Sequence, residues 1–271
     1  MANKYADFTK IASVVPVDLH PATLNVRKID GTDIKDALIK GFNDFWAKPS
    51  HLLFLGIIYP IAGIFLARLA FGYDTLPLVF PICAGFALIG PFAAIGLYEI
   101  SRRLELGLDA SWEHALEVLR SPAKGAILEL GFLLMVIYFA WLGAALALYR
   151  LTFGDAMPDT ITGFYQDVLT TPHGWALIIL GNGIGFLFAV LVLMISVVSF
   201  PLLLDRNVSA ATAVATSINA VRANPAAMAL WGLVVAGGLV VGTLPVFVGL
   251  ALVMPILGHA TWHLYRRVVE V

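Results

Sequence analysis

Two histidines one helical turn apart, His259 and His263, sit in the otherwise apolar stretch "PILGHATWHLYRR" near the end of the chain. Residues four apart lie on one side of a helix, and two imidazoles so placed can share a metal ion or face a haem. The glutamate of an H-E-x-x-H motif is absent, and no cysteine lies near. The plainer reading is that both rings hydrogen-bond a neighbouring helix or the headgroup zone beside Trp262 and Tyr265. Ionisable or polar residues inside other apolar stretches are the remaining candidates, because each costs a few kcal/mol at the centre of a bilayer. Glu99 precedes Arg102 and Arg103 by three and four residues, a spacing that favours local pairing. Glu129 lies one turn into its apolar stretch, and Asn182 lies deeper in another.

Other patterns carry less. The lone cysteine, Cys83, permits no internal disulfide and lies in an apolar run as a small lipid- or core-facing residue. "GNGIG", 181–185, resembles a nucleotide loop only superficially, since no strand precedes it. Gly181 with Gly185, and Gly238 with Gly242, have instead the spacing that lets helices approach closely. Nucleophile elbows, P-loops, paired zinc cysteines and deaminase signatures are absent, so the sequence suggests no enzyme and no resident cofactor or metal.

The elements that hold these residues follow from hydropathy. With 60% hydrophobic and 13% charged residues among 271, and a mean hydropathy of +0.88, the chain is far more apolar than a soluble domain. A net charge of -1 lacks the basic stripe that a nucleic-acid partner requires. Apolar runs long enough to cross about 30 Å of hydrocarbon occupy 52–71, 76–100, 126–149 and 175–204, and a forty-residue block, 226–265, splits at Gly242 to Pro245. The fold expected is all-α, with six transmembrane helices. Of the seventeen lysines and arginines, fifteen fall on one face and only Arg68 and Arg150 on the other, which places both termini in the cytoplasm. Residues 1–32 form a cytoplasmic tail and 33–271 a membrane domain.

That domain reads as three repeats, about 33–105, 106–206 and 207–271, each an interfacial amphipathic helix followed by a transmembrane hairpin. The amphipathic segments align on Pro49, Pro122 and Pro225. Their shared apolar positions are Phe45, Val118 and Val221; Phe42, Ala115 and Ile218; Ala37, Ala110 and Ala213. Asp33, Asp109 and Ser209 are the expected N-caps. Two hairpin ends also match: Pro91 precedes Tyr98, Arg102 and Arg103 by the offsets that separate Pro255 from Trp262, Arg266 and Arg267. An aromatic ring one turn before two arginines suits a helix leaving the bilayer, so these six residues are expected at the headgroups. The loop 150–174 is the long one on the opposite face and is acidic through Asp155, Asp159 and Asp167.

The stretches "NVRKIDGTDIKDALIKGFNDF", "GFALIGPFAAIGLYEISRRLE" and "SFPLLLDRNVSAATAVATSINAVRANPAAMALW", with "LGHATWHLYRR", resemble a bacterial family of integral membrane proteins known as domain of unknown function 2189. The resemblance runs from about Val26 onward and implies a bacterial inner-membrane location. Members are sometimes labelled as resembling cytochrome c oxidase subunit I. That subunit needs histidines on several helices for haem and copper, whereas here only His259 and His263 lie in an expected span, both on one helix. The function expected is that of an accessory, structural or assembly subunit of a larger, possibly respiratory, membrane complex, in contact with lipids and other integral membrane proteins. Two alternatives stay open: a transporter or channel for a small solute or lipid with Asn182 beside its cavity, and a haem- or metal-binding protein using His259 and His263.

Overall fold

The computed structural model describes residues 24–49, 76–111, 121–155, 158, 160–245 and 247–270. The described residues are helical, with no strand; a single antiparallel bridge joins Val26 to Val269. In chain order the helices are α1 (Gly31–Ala47), α2 (Val79–Phe86), α3 (Gly90–Ala93), α4 (Ile95–Glu105), α5 (Lys124–Phe153), α6 (Ile161–Thr170), α7 (Pro172–Ser196), α8 (Ser199–Asp205), α9 (Ala210–Ala223), α10 (Pro225–Thr243) and α11 (Leu250–Val268).

Three of these are long and apolar enough to cross a membrane: α5, α7 continued through α8, and α10. The first expected span, 52–71, lies outside the described residues. The second is not a single helix. Proline lacks an N–H and its ring crowds the carbonyl four residues back, so Pro91 disfavours a regular helix through Ala87, and 3₁₀ geometry occupies Ala87–Ile89 before α3 and α4 resume. Pro201 acts in the same way on the fourth stretch, which breaks at Val197 and Val198; the N–H of Val198 then donates to Ser217 Oγ of α9 (3.2 Å). No proline interrupts α5, whose 30 residues run unbroken for about 45 Å. The last block does divide, but later than the "GTLP" signal implies: α10 ends at Thr243 and α11 starts at Leu250.

Packing follows the small residues. Gly181 and Gly185 of α7 face Leu148 and Trp141 of α5, and Gly238 and Gly242 of α10 face Val253, Leu257 and Leu250 of α11. Both glycine pairs therefore lie at helix crossings. Trp141 also donates from Nε1 to the Pro81 carbonyl (2.8 Å), tying the broken second stretch to α5. Phe92 covers Gly131 of α5 and meets Phe200 of α8 edge-on.

The most extensive helix pair is α1 with α11, which run antiparallel. A Cβ at Gly41 would lie 2.5 Å from the Ala260 backbone, so only glycine permits this approach. The N-cap of α1 is Asp30 rather than Asp33; Asp33 occupies N3 and bonds back to the Asp30 N–H, closing a capping box. Ser209 caps α9 as expected. The second amphipathic segment lies mostly outside the described residues, but its first residues, Asp109 to Ser111, are described. There Ala110 is buried against Ile100 and Leu104 of α4, as Ala37 and Ala213 are buried at the aligned positions of α1 and α9.

Candidate functional site

Where α1, α4, α8 and α11 meet, the protein buries polar groups instead of apolar ones. Asp44 of α1 accepts a hydrogen bond from Ser101 Oγ of α4 (2.6 Å), and its same oxygen lies 2.7 Å from His263 Nε2 of α11. Ser101 Oγ is in turn 2.8 Å from His259 Nδ1. An ionised carboxylate only accepts, and a serine has one proton to give. With Ser101 donating to Asp44, His259 must donate from Nδ1, and the order is His259 to Ser101 to Asp44 from one side and His263 to Asp44 from the other. His259 Nε2 is sealed from solvent without a hydrogen-bond partner among the described residues.

The residue types are those of a nucleophilic triad, but the connectivity differs. In a triad the histidine bridges serine and acid through its two nitrogens, so that the acid orients the base that takes the serine proton. Here the serine is the bridge, and Asp44 itself receives its proton. Ser101 and His259 are both fully buried. The arrangement joins α1, α4 and α11. It does not form a metal cage: among the described residues no group of three or more His, Cys, Asp or Glu side chains is placed to hold an ion.

The six residues expected at the headgroups pack or pair inside the protein. Tyr98, Arg102, Arg103 and Trp262 are buried, and Arg266 and Arg267 are only partly exposed. Arg102 makes a two-pronged bond to Glu99 (2.8 and 2.9 Å), which also pairs with Arg103 at 3.5 Å. Trp262 donates from Nε1 to Glu105 at the end of α4 (2.9 Å), and Arg266 reaches the other oxygen of that carboxylate (3.0 Å). Tyr265 donates to Asp205 at the end of α8 (2.6 Å), with Arg266 3.5 Å from the same oxygen. Arg267 pairs with Asp36 (3.0 Å) and Asp33 (3.6 Å) of α1. An aromatic ring followed by two arginines satisfies itself at headgroups or on internal acids, and this chain supplies the acids.

The membrane-depth candidates do not converge on a cavity. Asn182 is exposed and its side-chain amide folds back onto the Ile178 carbonyl of its own helix (2.8 Å). Glu129 is also exposed, at the edge of a shallow apolar groove between α5 and α9. Cys83 faces outward. On the opposite end, Arg150 pairs loosely with Asp155 (3.6 Å), and part of the 150–174 loop is the helix α6. Asp44, Ser101, Glu105 and Asp205 were not singled out by sequence reasoning. For Asp44 a signal existed, since it falls on the same helical stripe as Ala37 and Gly41, where an acid needs a partner.

Long apolar helices beneath a polar, ion-paired head define the class: an all-helical integral membrane protein. Residues 79–205 match the model of a family described as predicted integral membrane protein (DUF2189), the family that the sequence stretches resemble. No curated protein and no solved structure matches the chain.

Proposed function

We propose that this protein is a non-enzymatic accessory or assembly subunit of a larger complex in the bacterial inner membrane, working through contacts with both of its ends in the cytoplasm. One observation carries this reading: the polar side chains where α1, α4 and α11 meet are bonded mainly to each other, while the apolar helices are left largely uncovered. The best membrane-length windows of α5 and α10 are only 28% and 22% buried. On α5 the outward surface includes Ala140, Gly143 and Ala147, with open space beside Gly143, a small-residue face suited to a partner helix.

The same proposal includes the threefold organisation. α1 packs on α11, the closing helix of the third repeat, and α9 packs on α7 and α8, which close the second. Ala110 on α4 continues the rule, so that each amphipathic segment grips the closing helix of the repeat before it and the three form a ring.

Extraction of the protein from its native membrane in polymer-bounded discs tests the subunit reading. A membrane protein in fixed ratio should co-elute, and Gly143→Leu with Ala147→Leu should reduce its recovery. A lone 29.2 kDa species in both discs and mild detergent overturns the proposal.

A further inference from the structure

The amphipathic helix α1 has two apolar stripes, and only one of them is used inside the protein. Ile34, Ala37, Gly41 and Phe45 are buried toward α11. A second stripe, Ile39, Phe42 and Trp46, remains 49%, 46% and 63% exposed, and Phe42 and Trp46 meet edge to face at 5.9 Å. Lys35 lies on the same line, four residues before Ile39.

We propose that this second stripe is a membrane-surface anchor whose occupant is anionic lipid, with Ile39, Phe42 and Trp46 entering the boundary between headgroups and acyl chains. Three observations select lipid. First, the acids of α1 lie on other faces than the stripe: Asp33 and the half-exposed Asp36 pair with Arg267, and Asp44 goes to Ser101 and His263. Lys35 stays exposed in line with the rings, so the free side of the helix combines apolar rings with positive charge, the complement of an anionic bilayer surface. Second, the position along the chain is right. Trp46 is six residues from Leu52, where a twenty-residue apolar stretch begins, and six residues extend for at most about 20 Å. A stretch of that length is enough to cross a bilayer, and a crossing there would hold Trp46 close to the surface. Third, the composition fits: an indole prefers the headgroup level, and a lysine in line with it can bury its stem and keep its ammonium among phosphates.

The anchor is independent of the subunit reading, and one experiment separates them. The full chain is placed in nanodiscs containing phosphatidylglycerol brominated near the top of its acyl chains, and the emission of the Trp46→Phe variant is subtracted from that of the unaltered protein to isolate Trp46. An exposed side chain makes this substitution safe for folding. The expected result is that bromolipid removes most of the Trp46 emission while aqueous acrylamide has little effect, and that Lys35→Glu lowers the lipid quenching. Quenching by acrylamide but not bromolipid, meaning a water-facing stripe, overturns the proposal. Resistance to both quenchers, meaning a stripe covered by protein, also overturns it while leaving the subunit reading intact.

Discussion

The segments "PFAAIGLYEISRR" and "PILGHATWHLYRR" share a proline, an aromatic residue and two arginines at the same offsets, yet they stabilise themselves in opposite ways. In the first, ending α4, Glu99 binds Arg102 and Arg103 of its own helix. In the second, ending α11, the position aligned with Glu99 is His263, and the arginines and rings turn to other helices: Glu105 on α4, Asp205 on α8, and Asp33, Asp36 and Asp44 on α1. One copy pairs its two arginines with an acid of its own helix. The other is completed only by assembly, and the two histidines missing from the first copy are the groups that reach Asp44 and Ser101. Replacing an acid by histidine at one aligned position thus converts a local ion pair into a clasp between distant parts of the chain.

The largest effect is expected from breaking the local copy. Glu99→Ala takes the carboxylate from two buried arginines, and removing one partner of a buried ion pair costs about 3–5 kcal/mol; detergent-solubilised protein should show a large fall in thermal midpoint or fail to accumulate. Asp44→Ala breaks the clasp and leaves Ser101 and His263 without their shared acceptor, at about 1–3 kcal/mol. Its distinguishing result is local: limited trypsin digestion should cut at Lys35 and Lys40 faster than in the unaltered protein. If Glu99→Gln, a milder lesion, speeds those cuts as much, the two copies are not separable in this way.

Gly41→Ala detaches the same helix without touching a polar group, because its methyl would meet the Ala260 backbone; overpacking of this kind costs about 1–3 kcal/mol. It should reproduce the tryptic pattern of Asp44→Ala. Trp262→Phe removes the bond to Glu105 and keeps the ring, with an expected cost of about 1 kcal/mol, read as a small shift in the same thermal assay. The smallest effect concerns Asp30. Bonds from the Thr32 hydroxyl and from the N–H groups of Thr32 and Asp33 hold its carboxyl below the usual range. A group with a lowered folded value contributes stability above its unfolded value, near 3.8, and loses it as pH falls through the folded one. Hydrogen exchange in the first turn of α1 should therefore quicken only below about pH 4, while exchange in α11 is unchanged.

How much of this was legible in the sequence depends on whether a residue's partner was local. The helix α5, the start of α7, the Ser209 cap and the close-packed glycines were readable, because each rests on hydropathy or spacing within one segment. The pairing of Glu99 with the arginines three and four residues on was readable for the same reason. The clasp was not. Asp44 and His263 are 219 positions apart, and an aromatic residue before two arginines has the same pattern whether it meets phosphates or carboxylates. Likewise, hydropathy reads 76–100 as continuous, whereas Pro91 changes the path of the backbone without changing how apolar the stretch is. Pro255 remains inside α11, so a proline alone does not decide where a helix ends.

The joined ends of the described chain carry a consequence in time. Arg27 N–H donates to the Val268 carbonyl and Glu270 N–H to the Asn25 carbonyl, while Asn224 bonds the backbone of Arg27 and Ile29. During synthesis at about 5–20 residues per second, the 219 positions between Asp44 and His263 correspond to roughly 10–45 s. Throughout that interval α1 exists without the helix it grips. It is made long before its partner, so something other than α11 must shelter the stripe of Ile34, Ala37 and Phe45 in the meantime.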